Sequence, residues 1–581
     1  MRKKKSEPFH QLPTPYETKL DPDLPFADYP RPQLRRDSYL CLNGRWDFSV
    51  ERHGIREDWG KICVPFVPES RISGIERQIL PDDRMIYERK FALPENFQRD
   101  RVILHFGAVD QRAKIFLNDQ FVGENGGGYL PFSFDITEFL RDGDNDLRVE
   151  ATDPLDPDLP YGKQRTKRGG IWYTPISGIW QTVWLESVSK SYIRGLKITP
   201  ALDRVTIQVQ GGEVDKILHL EMEGKTKDFA FSGDTITIPI ENPRLWTPET
   251  PYLYQFSLES GQDRVESYFA LRTISIGESN GTSQILLNGK PYFFHGLLDQ
   301  GYFSDGIYLP ATADGFLDDI RRMKSCGFNT LRKHIKLEPD LFYYACDRLG
   351  MVVFQDMINS GTYNFFIDTA LPTVFLKKGV SHRASPRRRE EFLRTSKGIQ
   401  TALYNHPSVC YYTIFNEGWG QFDAAGTYEI LKSADPTRVY DTTSGWFKDR
   451  HSDVESDHVY FKPIRLRSIP GKPMVLSEFG GYSCRVAGHY FNPNQNYGCR
   501  VHTTDPKVLE DALVELYEKE VKSAIKYGLS AAIYTQVSDV EDETNGLLTY
   551  DRAVLKVSPE RLQKVGADLV SAYQKIHGEN E

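Results

Sequence analysis

At 581 residues the chain is longer than one hydrophobic core organises, so roughly three to five folding units are expected. A formal charge of −8, with 39% hydrophobic and 26% charged residues, fits an ordinary globular composition and excludes the basic face of a nucleic-acid binder and a long disordered tract. Seven cysteines without CxxC or metal-ligand spacing exclude a disulfide framework and point to free thiols in a reducing compartment, so a cytoplasmic location is expected.

The opening Met1-Arg2-Lys3-Lys4-Lys5 is basic, but Ser6 to Tyr16 holds no apolar stretch and no cleavage site, so no signal peptide is expected. No run of about 18 apolar residues occurs either, and no membrane partner is expected. From Asp37 to about Lys190 the text alternates like short strands: Gly44 to Phe48, Met85 to Phe91, Arg101 to Phe106, Ala113 to Leu117, Leu147 to Ala151 and Gln181 to Glu186. Asn118-Asp119-Gln120 turns the chain, and Gly123 to Gly128 reads as another turn. It lacks a dinucleotide fingerprint, so no nucleotide cofactor is assigned. This predicts a β-sandwich over residues 1–190. Val205 to Val209, Leu218 to Met222 and Thr235 to Pro239 alternate in a second all-β unit, 191–277, of immunoglobulin-like size.

After Gly281 strands and helices alternate. Strands are expected at Tyr292 to Gly296, Asn329 to Lys333, Val352 to Asp356, Cys410 to Asn416, Val439 to Thr443, His458 to Tyr460, Met474 to Glu478 and Ala531 to Gln536. Helices are expected at Ala313 to Cys326, Pro339 to Leu349, Pro386 to Tyr404, Lys507 to Tyr527 and Pro559 to Ile576. Eight such units over residues 278–581 predict a (β/α)8 TIM barrel, and the architecture as a whole is multidomain β + α/β.

Two buried-strand runs end in carboxylates. Val409 to Phe415 empties into Asn416-Glu417-Gly418-Trp419, and Pro473 to Ser477 delivers Glu478-Phe479-Gly480, 61 residues further on. At the carboxyl ends of the fourth and seventh barrel strands both would face one bowl. Hydrolysis of a glycoside with retention needs a protonated acid for the leaving oxygen and an ionised carboxylate for the anomeric carbon, about 5 to 5.5 Å apart. Glu417 fits the first role and Glu478 the second, with Asn416 placed to hydrogen-bond a sugar hydroxyl.

Phe415-Asn416-Glu417-Gly418-Trp419 and Leu476-Ser477-Glu478-Phe479-Gly480 resemble the acid/base and nucleophile signatures of glycoside hydrolase family 2. Leu42 to Trp46 and Ser177 to Leu185 resemble the opening and last strands of its jelly-roll-like sugar-binding sandwich, while Leu287 to Pro291 and His295-Gly296 resemble the entry to its barrel. The resemblance implies an exo-acting β-glycosidase of the β-galactosidase or β-glucuronidase kind and leaves the sugar unfixed. It also implies that His334 contacts the sugar and that Tyr460 lies near the nucleophile. Gln536 and Asp539 are candidates for the pocket floor. Arg165 to Tyr173 is a candidate loop over the barrel mouth, with Arg168 and Trp172 near substrate and Trp446 beside them.

Where the β-glucuronidases it resembles carry an Asn-x-Lys, this chain has Glu543-Thr544-Asn545 before Gly546. Glu541, Asp542 and Glu543 would repel a uronic carboxylate at short range, so a neutral sugar is expected, galactose as pyranose or furanose first. A uronide read by Arg165 or Arg168 is the alternative, and a non-catalytic carbohydrate-binding protein the alternative of another class. The expected partner is a small glycoside or oligosaccharide, with self-association into a homo-oligomer open. No metal is assigned, and no trailing β-domain is expected after the last barrel helix. Each reading has a plainer counterpart: His334 as a satisfied barrel histidine, Trp172, Trp419 and Trp446 as packing between domains, and Arg387-Arg388-Arg389 with Glu390 and Glu391 as a solvated helix face.

Overall fold

The structure, a computed structural model, describes residues 11–364, 366, 368, 383–449 and 451–578; the basic opening Met1 to Lys5 lies outside them. Two antiparallel sheets make the first sandwich. One runs Tyr39–Cys41, Val183–Val188, Arg101–Phe106 and Phe132–Asp135; the other runs Ile55–Val64, Gly44–Arg52, Arg84–Ala92, Asp144–Thr152, Arg112–Leu117 and Gln120–Gly126. Strict alternation in Asp144–Thr152 sends Asn145, Leu147, Val149 and Ala151 inward, where the three apolar ones join Trp46, Phe48, Tyr87 and Leu104 in a closed core. Gly123 to Gly126, expected as a turn, is an edge strand paired with Arg112–Leu117. Gly123 belongs there because a Cβ would stand 2.3 Å from the Phe134 ring.

The second sandwich packs Ile193–Pro200, Arg204–Gly211 and Thr235–Pro239 against Lys225–Ser232, Asp215–Met222, Tyr254–Ser260 and Asp263–Phe269. A hairpin, Ile274–Ser279 with Thr282–Leu287, follows and runs across position 277.

Eight parallel barrel strands come next: β1 Phe294–Asp299, β2 Thr330–Lys333, β3 Val352–Asp356, β4 Val409–Asn416, β5 Val439–Ser444, β6 Glu455–Val459, β7 Met474–Gly480 and β8 Leu529–Thr535. They form one sheet in the order β5-β4-β3-β2-β1-β8-β7-β6, and β5 and β6 face each other across the seam. Most are buried along their whole length, as strands covered on both faces must be. Phe294, Leu298, Phe354, Tyr411, Val475 and Ile533 meet Ile285 and Leu287 of the hairpin, which joins their buried cluster.

Helices Asp314–Ser325, Asp340–Leu349, Pro386–Leu403, Ala424–Ala434, Pro506–Leu516 and Pro559–His577 follow β1, β2, β3, β4, β7 and β8. Ser385 caps its helix by accepting from Arg388 N at 3.0 Å, as the Ser-Pro start predicts. Among the described residues the connections after β5 and β6 carry no helix, a departure from eight full βα units. Strand six also differs. It begins at Glu455 and ends at Val459, so Tyr460 stands beyond its end on the mouth of the barrel.

Candidate active site

The end of β2 sends Arg332 into the bowl. It is buried, and its planar fork matches several acceptors at once: Nε donates to Asp356 Oδ1 at 2.9 Å, Nη1 to Glu478 Oε1 at 2.9 Å, and Nη2 to Asn416 Oδ1 at 2.9 Å. One side chain from β2 thereby ties the ends of β3, β4 and β7 together. His334, two residues on, donates from Nδ1 to Asp356 Oδ2 at 2.7 Å. Burial, then the charge of Lys163, pushes its pKa down, so the ring is neutral; Nδ1 is its protein-bonded side and Nε2 the side left for a ligand.

Glu478 lies near the end of β7, with Oε2 accepting from the Tyr460 hydroxyl at 2.6 Å. Burial alone would raise its pKa, but nearby positive charge, foremost among the permanent cations that of Arg332 at 2.9 Å, outweighs burial and holds it at about 2. Tyr460 also touches Thr535 Oγ1 at 2.8 Å. Burial, then the charges of Glu478 and Glu417, pushes the phenol well up, so it stays a donor.

Glu417 follows β4 with φ at +53°, its backbone N–H on Ser444 O at 3.1 Å. Its carboxylate makes one hydrogen bond among the described residues, from His458 Nδ1 to Oε1 at 2.9 Å. A side-chain ligand atom from each of Glu417, His458 and Glu478 lies within 4.8 Å of the other two. A cation could bridge such a spacing, but the permanent charge of Arg332 already sits on Glu478 Oε1 and works against a second one. Asn416 uses its Oδ1 on Arg332 and on Ser444 Oγ, leaving Nδ2 with no partner among the described residues. Trp446 meets His458 edge-on at 5.8 Å, and its indole N–H, buried, has no partner there either. Both can donate to a ligand hydroxyl.

Beyond β8 the acidic loop divides. Glu541 accepts from Arg168 at 3.2 Å and from Thr174 N at 2.9 Å, while Asp542 accepts from Gly170 N and Asn492. Glu543 turns inward, bonded by Tyr173 OH at 3.0 Å and Gln536 Nε2 at 2.8 Å. Burial raises its pKa, and the charge of Glu478 adds to that. Gln536, just past β8, also reaches Asn545 Oδ1 at 2.7 Å; Asp539, expected at the pocket floor, is buried and paired with Lys556 at 2.6 Å.

The loop from the first sandwich reaches the mouth, but its expected contacts are redistributed. Arg168, expected at the sugar, is engaged by Glu541 and lies over the Phe491 ring. Trp172, also expected there, is buried edge-on against Trp419 at 4.9 Å and Tyr363 at 5.0 Å, so it packs the seam between sandwich and barrel. Lys163, half-buried, is the loop cation whose charge reaches Glu478 instead. Tyr161 N and OH bond to Asn359 O and Gly361 O, and Tyr173 N to Lys163 O, which pins the segment to the barrel. The half-buried Lys163 ammonium makes no ion pair or hydrogen bond among the described residues and influences Glu478, Glu543 and His334 by charge.

Arg332, Asp356, His458 and Lys163 were not singled out from the sequence. For two of them a signal exists: Arg332 and His334, and His458 and Tyr460, are pairs two apart at strand ends, the period that returns side chains to one face. Arg388, in the run read as a solvated face, is buried, its Nη2 3.4 Å from Gly420 O.

Three family models match in sequence order: the glycosyl hydrolase 2 galactose-binding domain-like model over residues 58–194, the glycosyl hydrolases family 2 model over 193–272, and the glycosyl hydrolases family 2 TIM barrel domain over 280–557. A β-galactosidase of Pseudoalteromonas haloplanktis is 27% identical over 521 residues, covering 75% of this chain and 47% of that protein. Against three β-galactosidases it matches, the chain spans 47%, 39% and 41% of their length. The β-glucuronidase of Homo sapiens is 26% identical over 540 residues, covering 78% and 79%. Among solved structures, the β-D-glucuronidase of Dictyoglomus thermophilum superposes with a TM-score of 0.73 at 17% identity over 93% of this chain and 98% of that one. A β-galacturonidase of Eisenbergiella tayi superposes at 0.67 and 19% over the same shares, and these likenesses show the fold. With sandwich, immunoglobulin-like unit and barrel each matched in order, the chain belongs to glycoside hydrolase family 2.

Proposed function

We propose that the chain is an exo-acting retaining β-glycosidase that removes a terminal neutral sugar, with Glu478 as nucleophile and Glu417 as acid/base. One observation carries the reading: carboxylate oxygens of the two glutamates stand within 4.8 Å of each other. Retention needs carboxyl groups about 5 to 5.5 Å apart, whereas inversion needs about 6.5 to 9.5 Å to admit a water between them. In the first step Glu478 bonds to the anomeric carbon as the glycosidic bond breaks and Glu417 gives its proton to the leaving oxygen. In the second, Glu417 takes a proton from water, whose oxygen displaces Glu478. Arg332 and Tyr460 hold Glu478 ionised and aimed, and Asn416 Nδ2 and Trp446 Nε1 are donors for sugar hydroxyls.

Glu543 supports a neutral sugar. It is an inward-turned carboxylate close enough to Glu478 for the two charges to interact, and a uronic carboxylate would add a third. The β-galactosidases among the relatives favour galactose, as pyranose or furanose. One observation favours a second reading, a uronide: the Lys163 ammonium, which lies over the Tyr173 ring and makes no ion pair or hydrogen bond among the described residues, could bind a carboxylate. Initial rates on p-nitrophenyl galactopyranoside, galactofuranoside, glucoside, mannoside, glucuronide and galacturonide, with Glu478→Ala as control, test both. A rate on a neutral sugar that the substitution abolishes supports the proposal, and a rate confined to uronides replaces it with the second reading.

A further inference from the structure

His458 stands between the two glutamates and is held in one pose. The pairing of β6 with β7 shifts by one residue, so that Asp457 faces Leu476 but His458 faces Glu478, and the bulge at Ser477 turns both side chains into the bowl. Gly445, with φ at +85°, lies against the ring, and a Cβ there would stand 2.7 Å from His458 Cγ. Trp446 closes the other side at 5.8 Å. The ring is fully buried and has no room to turn.

Its two nitrogens have unequal neighbours. Nδ1 lies 2.9 Å from Glu417 Oε1, a full hydrogen bond, whereas Nε2 lies 3.5 Å from both Glu478 Oε1 and Arg332 Nη1, at the margin. A guanidinium has donors only, so a lone pair on Nε2 and the proton on Nδ1 satisfy Arg332 and Glu417 together. Glu417 has no other side-chain hydrogen bond among the described residues, so its orientation depends on this one.

We infer that His458 is the positioning residue of the acid/base: its Nδ1–H holds Glu417 Oε1, so that Oε2 gives the proton to the leaving oxygen and receives one from water. This rests on Glu417 being the acid/base, as proposed above. His458 keeps its own proton through both steps. As Glu417 Oε2 loses its proton in the first, the negative charge is met on Oε1 by the same N–H. When water attacks in the second, its proton passes to Oε2 and the bond to Glu478 breaks.

The test compares the whole chain with His458→Phe, which keeps ring bulk without a donor, and His458→Asn, which returns an N–H near the place of Nδ1. Values of kcat/KM are read over aryl glycosides whose leaving phenols span pKa values of about 4 to 10. His458→Phe is expected to lose about 100-fold on the poorest leaving group and less than about fivefold on the best, with His458→Asn recovering most of the loss. An equal loss across the series, or none, overturns the inference, because a ring serving Glu478 or the fold alone would not depend on the leaving group. A second reading needs no turnover: in protein labelled with 15N-histidine, His458 Nδ1 should appear as a protonated, hydrogen-bonded nitrogen that moves in Glu417→Ala. An unprotonated Nδ1, or one indifferent to Glu417→Ala, overturns it. A wild type that cleaves none of the series sinks the glycosidase reading instead, and the spectrum still decides the His458–Glu417 bond.

Discussion

Glu478 and Glu417 end the same kind of buried strand, yet the first has both oxygens held, by Arg332 and Tyr460, and the second has one, by His458. The Glu478 side chain is 6% exposed and that of Glu417 18%. The difference teaches how one fold separates two identical groups. Fixed donors and charges hold one carboxyl ionised, while the other keeps an oxygen without a protein partner among the described residues. The neighbours given to each strand end make the distinction, Arg332 and Tyr460 on Glu478 and His458 alone on Glu417.

Substituting each glutamate breaks the comparison most sharply. Glu478→Ala is expected to lose at least about 10⁴-fold in kcat whatever the leaving group. Glu417→Ala should lose about 10² to 10⁴-fold on poor leaving groups and far less on activated ones, with azide restoring turnover as the β-glycosyl azide, read by product analysis. Equal behaviour of the two variants would contradict distinct roles. Arg332→Met comes next, since it leaves Asp356 and Glu478 buried without their cation; a loss of about 3 to 5 kcal/mol in chemical unfolding is expected. A stable variant would mean that the guanidinium is not what ties the strand ends together.

Tyr460→Phe removes one charge-assisted hydrogen bond and should lower kcat by about 10 to 100-fold. It should also move the acid limb of the rate profile. Glu478 is held at about 2, below its ordinary value of 4.5, so its ionised form stabilises the fold above about pH 4.5 and that contribution fades as pH falls through about 2. Taking away a donor to the ionised form raises this pKa, so the limb shifts upward; no shift would place the phenol elsewhere. Smallest is Lys163→Met, expected to change KM for a neutral glycoside by less than about tenfold and kcat little. A large loss confined to uronides would favour the second reading.

The strand-end positions of both glutamates were legible because β4 and β7 are apolar runs that empty into polar residues, a pattern that period and length expose, whereas β6, Glu455-Ser456-Asp457-His458-Val459, has no such run and begins three residues before the expected start. The connections were less so. Helix Ala424–Ala434 begins at an Asp423 cap and carries no strong apolar stripe, and the connections after β5 and β6, which hold no helix among the described residues, leave no mark in a local reading. At the site, long-range charge pairing was invisible. Nothing next to Arg168 in the sequence announces Glu541, 373 residues away, and Lys163 gains its position only because Tyr161 and Tyr173 dock on the barrel. The bulge that turns His458 toward Glu478 depends on the register between two strands, which neither strand's sequence states.

The most direct test is to trap the covalent intermediate with an activated 2-deoxy-2-fluoro glycoside of the preferred sugar and find the modified peptide by mass spectrometry. The account predicts one sugar per chain, on Glu478, with activity lost in step. A label on Glu417, or turnover with no label and inversion at the anomeric carbon, would contradict it.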